Sequence, residues 1–377
     1  MWSLQNLRRI DFRTLPLLIG LMLISLLVIS ATSTGERQRA DASFFTPLVK
    51  SQLQWFGIGG LGYLFFAGIN YHKLREWSWI FYLSTILMLM GLFFIDPINN
   101  VHRWYRIPLT GMGIQPAECA KLSLILTLSW FIEKKGRAVD RWCVFFQSMP
   151  LVLIPCVLVL KQPDLGSALV FYPITLGMFY FCGVNRKIVA ILSGIGLTIL
   201  GITALIFLEV IPPEGTRFFF KYFLKDYQYA RLNPSTYHHR AAQTAIALGK
   251  WVGSGFRQSV FSGDGCLPAA STDSVFPAFT EEFGFLGAFF LLSLFFVLIY
   301  YTFQVVATAR DCFARALSSG IAIYFATHVV LNIGMMCGFL PITGVPLLLI
   351  TYGGSSVLWT MIALGILQSI YARRYMF

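Results

Sequence analysis

The chain has 377 residues, of which 56% are hydrophobic and only 12% are charged. A soluble domain carries about 25% charged residues, so this composition excludes an ordinary soluble protein and is typical of a membrane protein. The formal net charge of +12 is spread over short segments between apolar runs, which favours cytoplasmic loops over a nucleic-acid partner. The seven cysteines show no metal-ligand spacing, so neither disulfides nor a metal site are predicted.

Ten segments are apolar enough to cross a bilayer, which takes about 20 mostly apolar residues. They lie at 15–31, 52–69, 77–95, 116–132, 144–160, 165–182, 188–211, 283–308, 316–340 and 346–370. The first segment is followed by many others, so we interpret it as a membrane span and not as a cleaved signal. The sequence therefore predicts an all-α polytopic membrane protein with about ten transmembrane helices, in a single domain over residues 1–377.

The basic residues predict the orientation of these helices. An even number of spans leaves both termini on one side, and that side would hold short segments with many basic residues: Arg8, Arg9, Arg13, Lys73, Arg75, Lys134, Lys135, Arg137, Arg141, Arg186, Lys187, Arg310, Arg315, Arg373 and Arg374. Short basic loops face the cytoplasm. We therefore predict cytoplasmic termini and a long extracytoplasmic loop, at about 212–282, between the seventh and eighth helices.

This loop is far longer than an ordinary connection, which indicates a function or a structure of its own. Residues 217–232 mix Phe and Tyr with Lys and Arg, which suits either a helix in the membrane interface or an ordinary aromatic belt. Residues 237–249 predict a short helix, and glycines at 253, 255, 263 and 265 predict turns. Asp273 follows close to the next apolar run, where a carboxylate is costly unless it has a partner or a function.

Glu118 and Lys121 lie near the start of the fourth span. Pro116 suits the first turn of a helix, and residues three apart share a helix face. Ionisable side chains at such a place face a bundle interior or a wet cavity. The pair is therefore either a structural ion pair between helices or the charged wall of a cavity.

Other polar residues belong to the predicted outer face. Asp164, in KQPDLGSAL (161–169), precedes the sixth span and either caps it or serves a site, together with Lys161. Arg103 stands beside Trp104, which suits a phosphate or headgroup as well as plain interfacial anchoring. His328 lies inside an apolar span. We interpret it as a hydrogen-bonded packing residue and not as a proton relay. Glu281 and Glu282 fit the first turn of the eighth span.

Residues 332–356 span the last outer turn. Pro341, Gly344 and Pro346 interrupt the helix, and the run Gly353, Gly354, Ser355 and Ser356 permits close packing or exposed backbone. Acids, bases and a broken helix on one membrane face together suggest a site for a polar, anionic, lipid-borne substrate.

Five stretches, in order along nearly the whole chain, resemble one family: QPAECAKL (115–122), KQPDLGSAL (161–169), DYQYARLNP (226–234), STDSVFPAFTEEFG (271–284) and NIGMMCGFLPITGVPLLLITYGGSS (332–356). The chain resembles the SEDS family (shape, elongation, division and sporulation), which comprises the cell-wall polymerases RodA and FtsW. The turn PITGVPL (341–347) is more similar to that of RodA members than to that of FtsW members, which favours a role in elongation and cell shape.

The resemblance implies a peptidoglycan glycosyltransferase that polymerises lipid II at the outer face of the bacterial inner (cytoplasmic) membrane. It also implies a class B penicillin-binding protein (a transpeptidase) as partner, in addition to membrane lipids. A nucleic-acid partner is not expected, because no segment resembles a nucleic-acid motif. The essential Asp of the family motif His-Thr-Asp-Phe corresponds to Asp273. The Glu and Lys of the fourth span correspond to Glu118 and Lys121, and the loop Asp to Asp164.

The chain departs from the family around Asp273. Where members typically have Pro-Glu-x-His-Thr-Asp-Phe, residues 268–274 read Pro-Ala-Ala-Ser-Thr-Asp-Ser. The Glu, the His and the Phe are missing while the acid is retained. The glycine-rich segment at 249–258 is also atypical.

The expected roles follow from the reaction, which needs a base for the acceptor hydroxyl and positive charge at a diphosphate leaving group. Asp273 is expected as general base, and Lys121 with Arg103 as stabilisers of the diphosphate. Glu118 would orient Lys121, and Lys161 would contact substrate. Asp164 would contact substrate, support the cavity or help hold a divalent cation. A divalent cation, magnesium or manganese, suits carboxylates with diphosphate. Three alternatives remain: an FtsW-like division polymerase, a flippase for the lipid-linked precursor, and a non-catalytic scaffold for a penicillin-binding protein.

Overall fold

The computed structural model describes residues 9–33, 43–96, 102–106, 113–207, 210 and 236–374. Within them it contains eleven α-helices: α1 Thr14–Thr32, α2 Pro47–Gly68, α3 Tyr71–Gly91, α4 Pro116–Lys135, α5 Trp142–Lys161, α6 Leu165–Phe181, α7 Arg186–Phe207, α8 Tyr237–Leu248, α9 Val275–Thr308, α10 Cys312–Met336 and α11 Gly354–Arg373. A small antiparallel hairpin pairs β1 Tyr105–Arg106 with β2 Gly113–Ile114. The proposed interfacial helix at 217–232 and the motif at 226–234 lie outside the described residues.

Each of the ten apolar segments overlaps a helix of the described residues, and the short helix predicted at 237–249 is confirmed as α8. Seven of the described helices are long and apolar enough to cross a membrane: α1, α3 with the 3₁₀ turn that follows it, α5, α7, α9, α10 and α11. Helix α6 is apolar but shorter, with 17 residues. A multi-pass helical protein is thus supported, whereas spans at α2, α4 and α6 stay predictions.

One predicted boundary is wrong. The last span does not begin at residue 346, because residues 341–353 form an irregular segment and α11 begins at Gly354. The predicted start of the eighth span at residue 283 lies at a break in α9, and a further helical stretch, which begins at Val275, precedes that break. Glu281 and Glu282 therefore do not lie in a first helical turn. They lie just before a break in α9 at Gly284, whose backbone dihedrals are not helical.

The glycine-rich segment 249–255 packs against the break in α9. On one side of the break, Ser254 and Gly255 donate N–H groups to the carbonyls of residues 281 and 282, at 2.9 and 3.0 Å. On the other side, the N–H groups of residues 285 and 286 donate to Lys250 O at 2.9 Å and Trp251 O at 3.1 Å. The segment thereby bonds the backbone groups that a broken helix leaves without intrahelical partners.

Both acids before the break are buried and bind the same loop. The Glu281 carboxylate accepts the backbone N–H groups of Phe261 and Ser262 at 2.8 and 2.9 Å, and Glu282 accepts the Ser259 hydroxyl at 3.3 Å. Their role is therefore to hold the chain between α8 and Asp273 against α9.

Helices α10 and α11 lie at the centre of the bundle, and α7 lies at its edge. Of the 18 most apolar consecutive residues of each helix, 83% are buried in α11 and only 6% in α7. Small residues bring α11 close to α2, since a Cβ on Gly365 would lie 2.5 Å from Tyr63 O and one on Gly59 only 3.0 Å from Met361 Cγ. Such close approach is typical of membrane helix pairs.

Residues that were predicted to be cytoplasmic meet at one end of this bundle. Four contacts between distant parts of the chain join them there: Arg13 with Tyr371, Tyr71 with Asp311, Arg75 with Glu133, and Asn185 with Asp140. The polar residues that were predicted to be extracytoplasmic gather at the opposite end, around residues 341–347.

Candidate active site

Residues 341–347, here called the 341–347 turn, run without regular secondary structure after α10. Two side chains of α10 bind successive carbonyls of this turn. Asn332 Nδ2 donates to Val345 O at 2.8 Å, and His328 Nδ1 lies 3.1 Å from Pro346 O. Because residues four apart lie on one helix face, a single face of α10 fixes the path of the turn.

The same turn contacts Asp273 and the start of α6. Gly344 adopts a positive φ of +76°, and a Cβ there would lie 3.3 Å from the Asp273 carboxylate oxygen Oδ2. A Cβ on Gly166 would overlap the backbone carbonyl of Thr343. The turn therefore lies between the loop that carries Asp273 and the N-terminal end of α6.

The loop of Asp273 is held by its main chain. Three consecutive carbonyls, of residues 271–273, each accept a hydrogen bond: from Tyr352 N at 2.9 Å, Thr351 Oγ1 at 3.4 Å and Asn332 Nδ2 at 3.2 Å. These bonds need no particular side chain at residues 269, 271 or 274. They explain how the loop keeps its place although the Glu, His and Phe of the family motif are missing.

A histidine that no sequence motif marks lies beside this loop. His238 Nε2, on α8, is 2.7 Å from the hydroxyl of Ser274, which lies 36 residues further along the chain. Burial lowers the pKa of His238, and the nearby negative charge of Asp273 partly raises it again. The spacing of His238 in the sequence carried no signal, because only the packing of α8 on α9 brings it here.

Glu118 and Lys121 form the predicted ion pair in the first turns of α4, with Lys121 Nζ 2.7 Å from Glu118 Oε1. Their side chains are 2% and 1% exposed, so the pair is buried in the protein interior. Tyr324 of α10 donates to Glu118 Oε2 at 3.4 Å. Lys121 Nζ also lies 3.0 Å from Nε2 of His328, which is fully buried.

Helix α10 thus joins the buried pair to Asp273. His328 contacts Lys121 and Pro346, and one helical turn further along, Asn332 contacts Val345 and the Asp273 carbonyl. From the sequence, His328 was interpreted as a packing residue, and nothing in the sequence pattern singled out Asn332.

Asp164 caps α6, as predicted. Its carboxylate accepts the backbone N–H of Ser167 at 3.1 Å and the hydroxyl of the same residue at 3.0 Å. It also accepts the side-chain amide of Gln115 at 2.8 Å. The backbone N–H of Gln115 in turn donates to Ser355 Oγ at 2.9 Å. Asp164 therefore links the starts of α4, α6 and α11.

Arg103 and Lys161 lie at the same end of the bundle. The partly buried Arg103 guanidinium donates to the carbonyls of Gln162 and Pro163, and so ties the chain before β1 to the connection between α5 and α6. Lys161 is exposed in the last turn of α5. The surroundings of Arg103 and Lys161 do not identify a substrate, so the binding roles of these two residues stay predictions.

The donor set for a divalent cation is incomplete in the part of the chain that the structure describes. No group of three or more His, Cys, Asp or Glu side chains is arranged to hold a metal among these residues. Both oxygens of Asp164 already accept hydrogen bonds from Ser167 and Gln115. The described side chains therefore do not fit a site built by the protein alone.

Comparisons with known proteins agree on one family. The model of the family "Cell cycle protein", which covers FtsW, RodA and SpoVE, matches residues 12–376. The peptidoglycan glycosyltransferase MrdB of Helicobacter pylori is 29% identical, over 86% of this chain and 83% of its own length. The probable peptidoglycan glycosyltransferase FtsW of Trichlorobacter lovleyi is 30% identical, over 92% and 88%.

The fold supports the same conclusion. A chain of a peptidoglycan synthase complex, from work on the structural coordination of polymerization and crosslinking, superposes with a TM-score of 0.74 and 25% sequence identity. The match covers 97% of this chain and 98% of that chain. Since the family model matches nearly the whole chain, the protein belongs to the FtsW, RodA and SpoVE family, the SEDS family that the sequence motifs predicted.

Proposed function

We propose that this protein is a peptidoglycan glycosyltransferase, which polymerises lipid II into glycan strands at the outer face of the bacterial cytoplasmic membrane. One observation carries the proposal: the 341–347 turn contacts the partly exposed Asp273 on one side and, through His328, the buried Glu118–Lys121 pair on the other. The peptidoglycan glycosyltransferases MrdB and FtsW among the relatives support this activity.

The reaction joins a sugar hydroxyl of one lipid-linked chain to the anomeric carbon of another. The new C–O bond forms as the bond to the diphosphate breaks, and the hydroxyl loses its proton. The site must therefore supply a base for the hydroxyl and positive charge near the departing diphosphate.

Asp273 is the proposed general base. Its side chain is partly exposed, so a substrate hydroxyl can reach it. Its own carbonyl and the two before it are bonded to neighbouring segments, so the carboxylate is carried on a fixed backbone. A base in a fixed position stays aligned with the substrate hydroxyl, which lowers the entropic part of the activation barrier.

Lys121 is the proposed source of positive charge. Because its side chain is 1% exposed, its field acts across the protein interior, where a charge is screened much less than in water. Glu118 orients the ammonium and neutralises part of its charge. Removing either partner would leave an uncompensated buried charge, which is strongly destabilising.

The remaining predicted residues take supporting roles in this proposal. Lys161 and Arg103 supply positive charge to the diphosphate at the rim of the site, and Asp164 holds the starts of three helices around it. A magnesium or manganese ion would be bound with the substrate diphosphate, since the described side chains do not form a complete site. No step of the proposed reaction depends on that ion.

The proposed setting is a bacterial inner membrane, with both termini in the cytoplasm and Asp273 on the outer side. The grouping of predicted cytoplasmic residues at one end of the bundle supports this orientation. A class B penicillin-binding protein is the proposed partner, in keeping with the peptidoglycan synthase complex whose fold is similar. Relatives named MrdB and FtsW are about equally identical, so a role in elongation is proposed from the 341–347 turn alone.

The first prediction concerns Asp273. We expect Asp273→Asn to abolish polymerisation of purified lipid II while the protein stays folded, because the amide has the shape of the carboxylate but is not a base. The measurement is glycan-strand formation by the purified protein, with and without added divalent cation. Asp264→Asn, which changes an exposed carboxylate in the same loop, serves as the matched control and should stay active.

Other outcomes of this assay would favour the alternatives. An Asp273→Asn variant with normal activity would remove Asp273 from the role of base. If the wild-type protein made no polymer but moved the lipid-linked headgroup across liposome membranes, the protein would be a flippase and not a polymerase. A wild type without either activity, whose Asp273→Ala variant still supports normal growth, would indicate the scaffold.

A further inference from the structure

His328 is a buried polar residue that the proposed reaction does not yet use. It lies in the interior of α10 with no exposed surface, and each of its ring nitrogens has a polar neighbour. Nδ1 is 3.1 Å from Pro346 O, and Nε2 is 3.0 Å from Lys121 Nζ. The edge of the ring also meets Tyr324, with centroids 4.7 Å apart.

These two contacts determine where the ring carries its proton. A backbone carbonyl can only accept a hydrogen bond, so Nδ1 must carry the hydrogen and donate it to Pro346 O. A lysine ammonium can only donate, so Nε2 must offer its lone pair to Lys121 Nζ. His328 is therefore a neutral imidazole in a single tautomer. An imidazolium would set a second positive charge directly against the ammonium.

The geometry points to His328 as a positioning residue for Lys121. Two donor groups of the ammonium are directed to Glu118 and His328, which fixes the position of the positive charge. Through Pro346, the ring ties this charge to the turn whose preceding residues contact Asn332 and Asp273. We infer that His328 fixes the position of the Lys121 ammonium relative to the Asp273 carboxylate. This inference rests on the role proposed for Lys121.

Two substitutions separate this role from simple packing. In His328→Gln, the side-chain amide can donate to Pro346 O and accept from Lys121, so both contacts can be rebuilt. In His328→Leu, the volume is filled but neither contact is possible. Thr327→Val, which changes a neighbouring buried residue of α10, controls for disturbance of the helix.

We expect His328→Leu to lower kcat for lipid II polymerisation by about tenfold or more, and His328→Gln to retain activity within about threefold of wild type. Thermal melting in detergent reports folding for all three variants. Wild-type kcat in a folded His328→Leu protein would overturn the inference. Equal losses in the Gln and Leu variants would also overturn it, because packing alone would then explain both.

A spectroscopic measurement tests the tautomer in the wild-type protein, with His328→Gln used to assign the signal. With ¹⁵N-labelled histidine, one of the five imidazoles should show a protonated Nδ1 and a bare Nε2. That signal should be missing in His328→Gln and should stay unchanged between about pH 6 and 8, where free histidine titrates. An imidazolium, or a ring protonated at Nε2, would contradict the assignment.

Lys121→Met distinguishes failure of this inference from failure of the proposed function. If Lys121→Met polymerises normally, the role proposed for Lys121 is wrong, and the inference on His328 falls with it. If a Lys121→Met protein that thermal melting shows to be folded is inactive while His328→Leu is fully active, only the inference on His328 is wrong. We expect both variants to be impaired and the His328 tautomer signal to shift in Lys121→Met.

Discussion

At the scale of single residues, the loop of Asp273 is held by its own turn bonds to Ala269 O and also by partners far away in the chain. Its loop is anchored through backbone carbonyls to Asn332 and to residues 351–352. Hydrogen bonds to backbone carbonyls do not depend on the side chains of the loop. Residues around the acid can therefore be substituted while the carboxylate keeps its position. This is a physical reason why Asp273 stands in an otherwise atypical motif.

Gly344→Ala tests how closely the turn and the acid are fitted. A side chain at a φ of +76° costs about 1 kcal/mol, and the new Cβ would lie 3.3 Å from Asp273 Oδ2. We expect a modest loss of thermal stability and a much larger loss of lipid II polymerisation, because the carboxylate must move. Gly183→Ala is the matched control, since its φ is +74° with no atom near the added Cβ. Similar activity in the two variants would contradict the proposed fit.

His239 makes the docking of α8 sensitive to acid. Neither ring nitrogen has a hydrogen-bond partner among the described residues, and burial lowers its pKa from 6.5 to about 4. Since the unfolded state binds the proton more readily, stability is complete above about pH 6.5 and falls as the pH drops toward 4. A shift of this size corresponds to about 3 kcal/mol.

We therefore expect the melting temperature of wild type to fall between about pH 6.5 and 4.5 by more than that of His239→Leu, which cannot titrate. Thermal melting in detergent at several pH values measures this difference. A His239→Leu protein with the acid sensitivity of wild type would contradict the assignment.

At the scale of elements, the break in α9 is the feature that a hydrophobicity pattern could not reveal. The sequence pattern places one span at 283–308, whereas the helix begins at Val275 and breaks at Gly284. The glycine-rich segment 249–255 fills the break because its backbone can approach the backbone of α9 closely. The atypical glycines thus have a structural role, because they fix the chain that leads from α8 to Asp273.

Gly253→Ala tests this packing. A Cβ on Gly253 would overlap the Glu282 carbonyl and lie 2.6 Å from Gly284 N, in a backbone with a φ of +84°. Gly265→Ala carries similar backbone strain, at a φ of +76°, with no atom near the added Cβ. We expect Gly265→Ala to cost about 1 kcal/mol and Gly253→Ala to cost clearly more. Equal melting temperatures for the two variants would show that the segment does not pack as described.

At the scale of the whole molecule, the two ends of the bundle differ in character. One end joins basic and acidic residues from the chain termini and the short loops, as in the pairs Arg75–Glu133 and Tyr71–Asp311. The other end carries Asp164, the 341–347 turn and Asp273. The positive-inside pattern predicted this division from loop charge alone, since loop charge is set by sequence and needs no knowledge of packing.

The sequence by itself determined the helical membrane class, the positions of most helices, the family and the candidate acid. Each of these depends on local properties, namely the length of an apolar run, the charge of a loop, or a short motif. The ion pair of Glu118 with Lys121 and the cap by Asp164 were also predictable, because both partners lie within one helical turn.

Only the tertiary structure decided which distant residues meet. The contacts of His328 with Lys121, of Asn332 with Asp273 and of His238 with Ser274 each join separate helices or loops. Such contacts depend on how helices rotate and approach one another, which is set by close packing of side chains and small residues across the whole bundle. An apolar pattern fixes where a helix lies along the chain, but it does not fix the partner of each polar group.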